Sequence, residues 1–270
     1  MTTSTPTSPV GRLLRHWRDV RGMSQLDLAL TADVSARHVS FVETGRSTPS
    51  REMVLRLADV LAIPLREQNA LLEAAGYARL YRESELTDPE LEDVRRVFEF
   101  ILERHEPYSA VVVDRAWNVV MANRAHGRVL AFLLGEDRRE APVTENLLDL
   151  TFDPDGARPY ITNWEEVARV LLDRVHREVA TWPDDVSEEL LERLLAYPGV
   201  PERWRVPDLT RPSPVVIPIR LRKDGVKIAL FTAISTLGTP QDVTLQELRI
   251  ESFFPADEAS DAALRGLGRG

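Results

Sequence analysis

Residues 24–50, SQLDLALTADVSARHVSFVETGRSTPS, decide the reading of this 270-residue chain. They spell two short helices around a tight turn, then a Gly-Arg loop and a serine helix start. Leu28, Ala29 and Ala32 make one apolar stripe; Val39 and Val42 make another, with Val34 in the turn between them. A small residue at Ala29 lets two helices cross closely. Gln25, Ser35, Arg37, His38 and Ser40 are left facing outward. That layout predicts a helix-turn-helix, whose second helix enters the major groove of DNA.

The flanking residues extend this into a module. Val10–Arg21 reads as a helix with Leu13, Leu14 and Trp17 on one face, stopped by Gly22. Ser24, Ser35 and Ser50 are N-caps of the next three helices. Asp33 occupies the turn where positive φ is needed, which Asp tolerates better than most residues. Pro64 opens a fifth helix that ends at Gly76. Residues 9–76 therefore form an all-α, five-helix domain, behind a polar tail, 1–8, expected to be disordered. Residues 77–106 read as a helical connector. Leu91, Val94, Phe98 and Ile101 or Leu102 recur there at helical spacing.

From Pro107 the pattern changes. YSAVVVD and RAWNVVMAN are strand-like, with a turn around Asp114–Ala116. Helical stretches follow at 124–134, 146–152, 163–181 and 186–196. PVVIPIRLRKDG, VKIALFTAISTLGT and LQELRIESFFP are three further strand-like runs, the first two joined by the hairpin signal Asp224-Gly225. Two strands, a helical insert and three antiparallel strands describe an α+β domain over 107–256 with a five-stranded antiparallel sheet. The end, 257–270, reads as a flexible tail.

Composition bounds the function. The apolar fraction of 43% supports real cores, and the absence of cysteine excludes disulfides, thiolate metal sites and cysteine nucleophiles. It fits a reducing, cytoplasmic setting. No apolar run of about 18 residues is present, so no membrane span is expected, and the N-terminus lacks a signal-peptide layout. The net charge of −9 is unevenly spread: residues 1–82 hold 11 arginines against 8 carboxylates, a balance of +3, and the remainder stands at −12. The basic excess lies beside the helix-turn-helix, and the acidic remainder should face away from phosphates. An enzyme is not expected: there is no HExxH, GxSxG or Walker A string. The five histidines, at 16, 38, 105, 126 and 176, lack ligand spacing. No metal or other cofactor is predicted.

SQLDLA, DVSARHVSFVETGR and PSREMVLRLADVLAIP resemble the phage-repressor-like helix-turn-helix family, of lambda repressor and Cro type (XRE family), across residues 9–76. Asp33 stands where that family usually has Gly. The order AVVVDRAWNVVMAN, NLLDLTFDPDGARPYITNWEEVARVLLDRVHRE, then a terminal strand trio resembles the MmyB-like regulators. Those join such a DNA-binding domain to a ligand-binding domain of PAS-like fold. The resemblance implies a transcriptional regulator that binds double-stranded DNA as a homodimer and responds to a small apolar or fatty-acid-like ligand.

On the DNA side, the resemblance implies that Gln25 holds a phosphate and braces a recognition side chain, and that Ser35, Ala36 and Arg37 lie nearest the base edges. Arg37 can donate two parallel hydrogen bonds to guanine. His38 and Ser40 are further contact candidates. Phe41 either packs on a thymine methyl or sugar, or belongs to the module's core. Arg46 is assigned to phosphate. Glu43 is read as a structural hydrogen-bond partner. Leu26 and Leu30, off the main stripe, either pack on the first helix or mark a contact with the other domain or a second copy.

A PAS-like sheet with a helical insert makes a concave apolar pocket. Its wall candidates are Trp117, Phe132, Leu148, Phe152, Trp164, Ile219 and Phe231, each also a plausible core residue. Asn123, His176 and Arg220 are candidates for anchoring a carboxylate, although His176, on a charged helix, is expected to be exposed. The alternative is a second domain that serves as a dimerisation or protein-interaction module without ligand.

Overall fold

Serine hydroxyls set the first helix boundaries. In a computed structural model of the chain, which describes residues 8–136, 146–181, 184–207, 218–238 and 240–267, four helices begin behind a serine: α1 (Pro9–Val20), α2 (Gln25–Thr31), α3 (Ala36–Glu43) and α4 (Arg51–Val60). In each, Oγ of Ser8, Ser24, Ser35 or Ser50 accepts a first-turn backbone N–H that has no partner within the helix. At Ser24, Asp27 returns the bond to the cap's own N–H and completes a capping box. α5 (Leu65–Ala74) differs, because Pro64 offers no side-chain cap. Asp33 takes φ 53° in the turn between α2 and α3, as the sequence requires.

The chain divides into two compact units: residues up to 85 together with 238–246, and residues 86–237 together with 247–270. The first unit is built on Leu14, Trp17, Leu28, Ala29, Val39, Val42, Leu57, Leu61 and Leu72, all buried in one cluster. Each buried leucine or valine among them contributes roughly 1.5–3 kcal/mol by leaving water. Helices α1 and α3 meet closely: a Cβ on Gly11 would lie 2.5 Å from the Glu43 carbonyl oxygen.

Only part of the expected helical connector is helical. Residues 77–81 are drawn into extended chain by Asn69, which accepts from Leu80 N and Tyr81 N and donates to Tyr81 O. The helix α6 (Glu92–Arg104) starts after a single 3-10 turn, Pro89–Leu91. The second unit holds a five-stranded sheet, β1 (Ala110–Val113), β2 (Val119–Ala122), β3 (Ile219–Lys223), β4 (Val226–Thr236) and β5 (Arg249–Pro255), in the order β2-β1-β5-β4-β3 with every neighbour antiparallel. Between β2 and β3 lie α7 (Arg124–Leu134), α8 (Leu147–Phe152), α9 (Trp164–Thr181) and α10 (Asp185–Ala196). Asp224 and Gly225 both take positive φ in the β3–β4 hairpin, as a primed turn demands. Val111 and Val113 of β1, Ile234 of β4 and Phe253 of β5 share one core with α8, α9 and α10.

Two segments differ from the sequence reading. LQE of the last strand-like run belongs to a short helix, α11 (Val243–Glu247), and β5 begins only at Arg249. The expected flexible tail, 257–270, instead forms α12 (Glu258–Leu267). Asp257 accepts from Ser260 N, the Ser260 hydroxyl accepts from Ala229 N of β4, and Leu264 is buried. The expected disordered tail, apart from Ser8, the stretch 214–217 of the PVVIPIRLRKDG run, and residues 268–270 lie outside the described residues.

Candidate nucleic-acid interface and ligand-binding core

The helix-turn-helix is organised from below by one carboxylate. Glu43, at the end of α3, is fully buried. It accepts from Arg18 Nε at 2.6 Å, Arg15 Nε at 3.3 Å and Gln25 Nε2 at 2.8 Å. Burial alone would push its carboxyl up. The bonds from Arg18, Gln25 and Arg15 together outweigh that and hold it below the usual range. The same pair raises the Arg18 guanidinium, chiefly through its hydrogen bond to Glu43. This ties α1, the start of α2 and the end of α3 into one rigid frame. Gln25 is thereby held by an internal carboxylate at the mouth of α2, and its bracing partner is Glu43 rather than a base-reading side chain.

Above this frame, α3 presents its outer face. Ser35 and Arg37 are exposed, and Ala36, His38, Ser40 and Phe41 are partly so. Arg37 lies with its guanidinium 5.0 Å from the Phe41 ring centroid, and Arg46 lies 5.9 Å from the same ring. A single aromatic face is thus flanked by two cations, an arrangement that restricts both arginines without consuming their hydrogen-bond donors. Arg37, Phe41 and Arg46 form one patch. Leu26 and Leu30 are 57% and 71% exposed, so they do not pack on α1.

In the second unit, the predicted wall residues separate into groups. Trp117, Leu148 and Phe152 are buried together in the core beneath α8, α9 and α10, and Trp164 packs at its border. Phe132 and Ile219 flank a second cluster around Leu221, Ile228 and Leu230. Phe231 does not join them. Strand side chains alternate, and it pairs with Phe254 and stacks on it at 5.2 Å, on the face opposite to Leu230 and Thr232. Asn123 caps α7: its Oδ1 accepts from Ala110 N and His126 N, and its Nδ2 donates to Leu102 O and Tyr108 O, so its polar atoms are spent on structure. Arg220 lies on the surface beside Glu166, lining an open cleft of about 540 Å³ with Arg222 and Lys227. His176 is buried, not exposed, with Nε2 2.9 Å from Trp204 O.

The sequence reading missed the charged part of this core. Glu251, on the central strand β5, is paired across the sheet with Val111 and Ile234 and is 6% exposed. Its Oε2 has no hydrogen-bond partner among the described residues, and neither does Trp117 Nε1. Burial pushes the Glu251 carboxyl up to about 7, against the pull of Arg174, Thr232 and Arg249. The guanidiniums of Arg174 and Arg249 lie 4.6 and 5.5 Å from the Trp117 ring centroid, and both bond Glu178. Trp117 itself takes φ 67°, a rare conformation for a bulky residue, held by Leu147 N donating to its carbonyl. A glutamate at an inward position of a strand that reads IESFF was the available signal. No group of three or more His, Asp or Glu that could hold a metal ion occurs among the described residues.

The description "MmyB-like transcription regulator ligand binding domain" fits residues 94–267, and "helix-turn-helix domain" fits residues 9–71. The chain belongs to the MmyB-like transcription regulators. Among curated proteins, no match is found. The MmyB-like chain is therefore a DNA-binding transcription regulator that joins a helix-turn-helix to a ligand-binding domain, and the patch on α3 sits inside the matched helix-turn-helix. No helix among the described residues is long and apolar enough to cross a membrane.

Proposed function

We propose that this protein is a cytoplasmic, sequence-specific regulator, without enzymatic activity, that binds an inverted-repeat operator as a homodimer under the control of a small apolar, fatty-acid-like ligand. The observation that carries the DNA side is the Arg37–Phe41–Arg46 patch, set on a helix whose far end is locked by Glu43. Arg37 is at the N-terminal end of the recognition helix, where a guanidinium reaches guanine O6 and N7. Arg46, just past the helix, is placed for phosphate. Two-fold symmetry would set the half-sites about one helical turn apart.

The ligand side is supported by the aromatic core of the PAS-like sheet domain, in which Trp117, Phe152, Trp164 and Trp204 gather. The partnerless Trp117 Nε1 and the neighbouring Arg174 and Arg249 fit the polar end of an amphiphile, and the aromatic walls fit its chain. A second reading, a ligand-free dimerisation module, is favoured by the exposure of Val97 and Phe100 on α6.

Selection of bound duplexes from random sequence tests the DNA reading: recovery of a two-fold symmetric site is expected, and enrichment of no motif would reject it. Native mass spectrometry of protein purified from cells tests the ligand reading. A retained lipid-like mass is expected; a mass equal to the bare chain turns the reading towards the dimerisation module.

A further inference from the structure

We propose that the connection between β4 and β5 is the element through which the ligand-binding sheet acts on the DNA-binding unit, an inference that rests on the regulatory reading above. Hairpin strands are ordinarily joined by two to five residues or so. Here the chain between Thr236 and Arg249 is far longer. Its middle, Gly238–Gln246, belongs to the first unit, although both of its ends continue into the sheet of the second.

The excursion is pinned by specific bonds. Helix α5 lacks a cap from Pro64, and its first N–H, at Leu65, donates instead to Gln246 Oε1 at 2.7 Å. A residue 181 positions along the chain thus completes a helix of the DNA-binding unit. Asp242 is buried; its Oδ2 accepts from Ser84 Oγ at 2.7 Å and Ser84 N at 3.2 Å, and its Oδ1 accepts from Thr244 N at 2.9 Å. Val243, fully buried, donates its N–H to Arg82 O. Asp242 Oδ2, the Val243 N–H and Gln246 Oε1 therefore clamp the excursion to residues 82–84 and to the start of α5.

Both ends of the excursion continue into strands of the proposed sensor. β4 and β5 pair continuously from Leu230↔Pro255 to Thr236↔Arg249. Their inward residues Thr232, Ile234, Glu251 and Phe253 face the core where a ligand would lie. Leu237 alone separates β4 from Gly238, and Glu247 and Leu248 alone separate Gln246 from β5, so the chain offers a short covalent route from either strand to the excursion. At the other end, α5 packs on α1, and α1 abuts the end of α3 at Gly11 and shares Glu43 with it. Within the first unit the pinned excursion thus reaches the recognition helix through α5, α1 and Glu43.

Linkage is reciprocal, so DNA can be used as the probe in place of the ligand. Amide hydrogen exchange is measured on the full chain, alone and saturated with the selected operator duplex, for the wild type and for Asp242→Ala/Gln246→Ala. In the wild type, operator should slow exchange by roughly fivefold or more in 230–236 and 249–255 as well as in 25–46. In the variant the change in β4 and β5 should vanish while that in 25–46 persists. Unaltered β4 and β5 in the wild type, or an equal response in the variant, overturns the proposal. If the double variant no longer binds the duplex, Gln246→Ala alone, which removes one cap bond, is held to the same criteria. If the wild type binds no duplex, the functional reading has failed separately, and calorimetry of the free proteins decides: one transition for the wild type and two for the variant support the clamp, and identical scans overturn it.

Discussion

Arg37 and Glu251 carry opposite lessons about single residues. Arg37 is exposed, with its guanidinium over the Phe41 ring. Arg37→Ala should weaken operator binding by about 1–3 kcal/mol and relax the preference at one base pair, whereas Arg46→Ala should weaken all sequences alike. Competition binding against single-base operator variants separates the two outcomes; unchanged selectivity in Arg37→Ala would remove its assigned role. Glu251 is buried and its carboxyl titrates near 7. Its folded-state pKa is raised, so between the usual carboxyl range and about 7 the folded protein holds more protons than the unfolded chain, and stability is lost as pH rises through that window. Glu251→Gln should therefore gain on the wild type between pH 5 and pH 8, by roughly 3 kcal/mol at most. Urea melts at the two pH values measure this, and parallel melts would show that Glu251 ionises freely. His126, pushed down to about 4 by burial, works in the opposite direction, gaining stability as pH rises from about 4 to 6.5, and it is present in both proteins. The exposed place of Arg37 near the start of α3 was legible because a helix-turn-helix fixes position by spacing. That of Glu251 was not, since a strand pattern gives the inward face but not whether a charge upon it finds a partner.

At the level of elements, local chemistry was read well where the signal was local. The serine caps, the positive φ at Asp33 and the Asp224-Gly225 hairpin each depend on one or two residues, and each takes the expected conformation. Elements fixed by distant partners were misread. α12 sits on a Gly-rich end, DAALRGLGRG, which by itself resembles a tail, and its helix is stabilised by the Ser260 hydroxyl accepting from Ala229 N of β4 and by Leu264 in the core. Leu264→Ala should destabilise the second unit by about 2–5 kcal/mol, the usual cost of a buried leucine truncation. Thermal melts of the full chain test this, since a tail residue would leave the transition in place. Likewise LQE was read as strand because β5 follows directly; the Asp242 cap that turns it into α11 also binds Ser84 from far along the chain. Phe231, a wall candidate in the sequence, stacks on Phe254 on the face opposite to Leu230, a placement that a long apolar run such as IALFTAI hides.

The whole molecule divides its charge: +3 over residues 1–82 and −12 over the rest. Arg15 and Arg18 are engaged by Glu43, which leaves fewer cations for phosphate than the arginine count suggests. The patch of Arg37 and Arg46 is thus a small cationic footprint for one copy. If each copy neutralises two or three phosphates, an operator-bound dimer should show log K falling against log salt with a slope of roughly −4 to −5. A single copy would give about half of that. Fluorescence anisotropy of the full chain on the selected duplex, titrated across salt concentrations, reads the slope, and a half-site duplex supplies the reference. A full-site slope no steeper than the half-site slope would mean that the second copy places no recognition helix on DNA, and the symmetric operator would have to be given up. A slope twice that of the half-site, together with a loss of the steepness in Arg46→Ala, is the result that a dimer of weak individual readers requires.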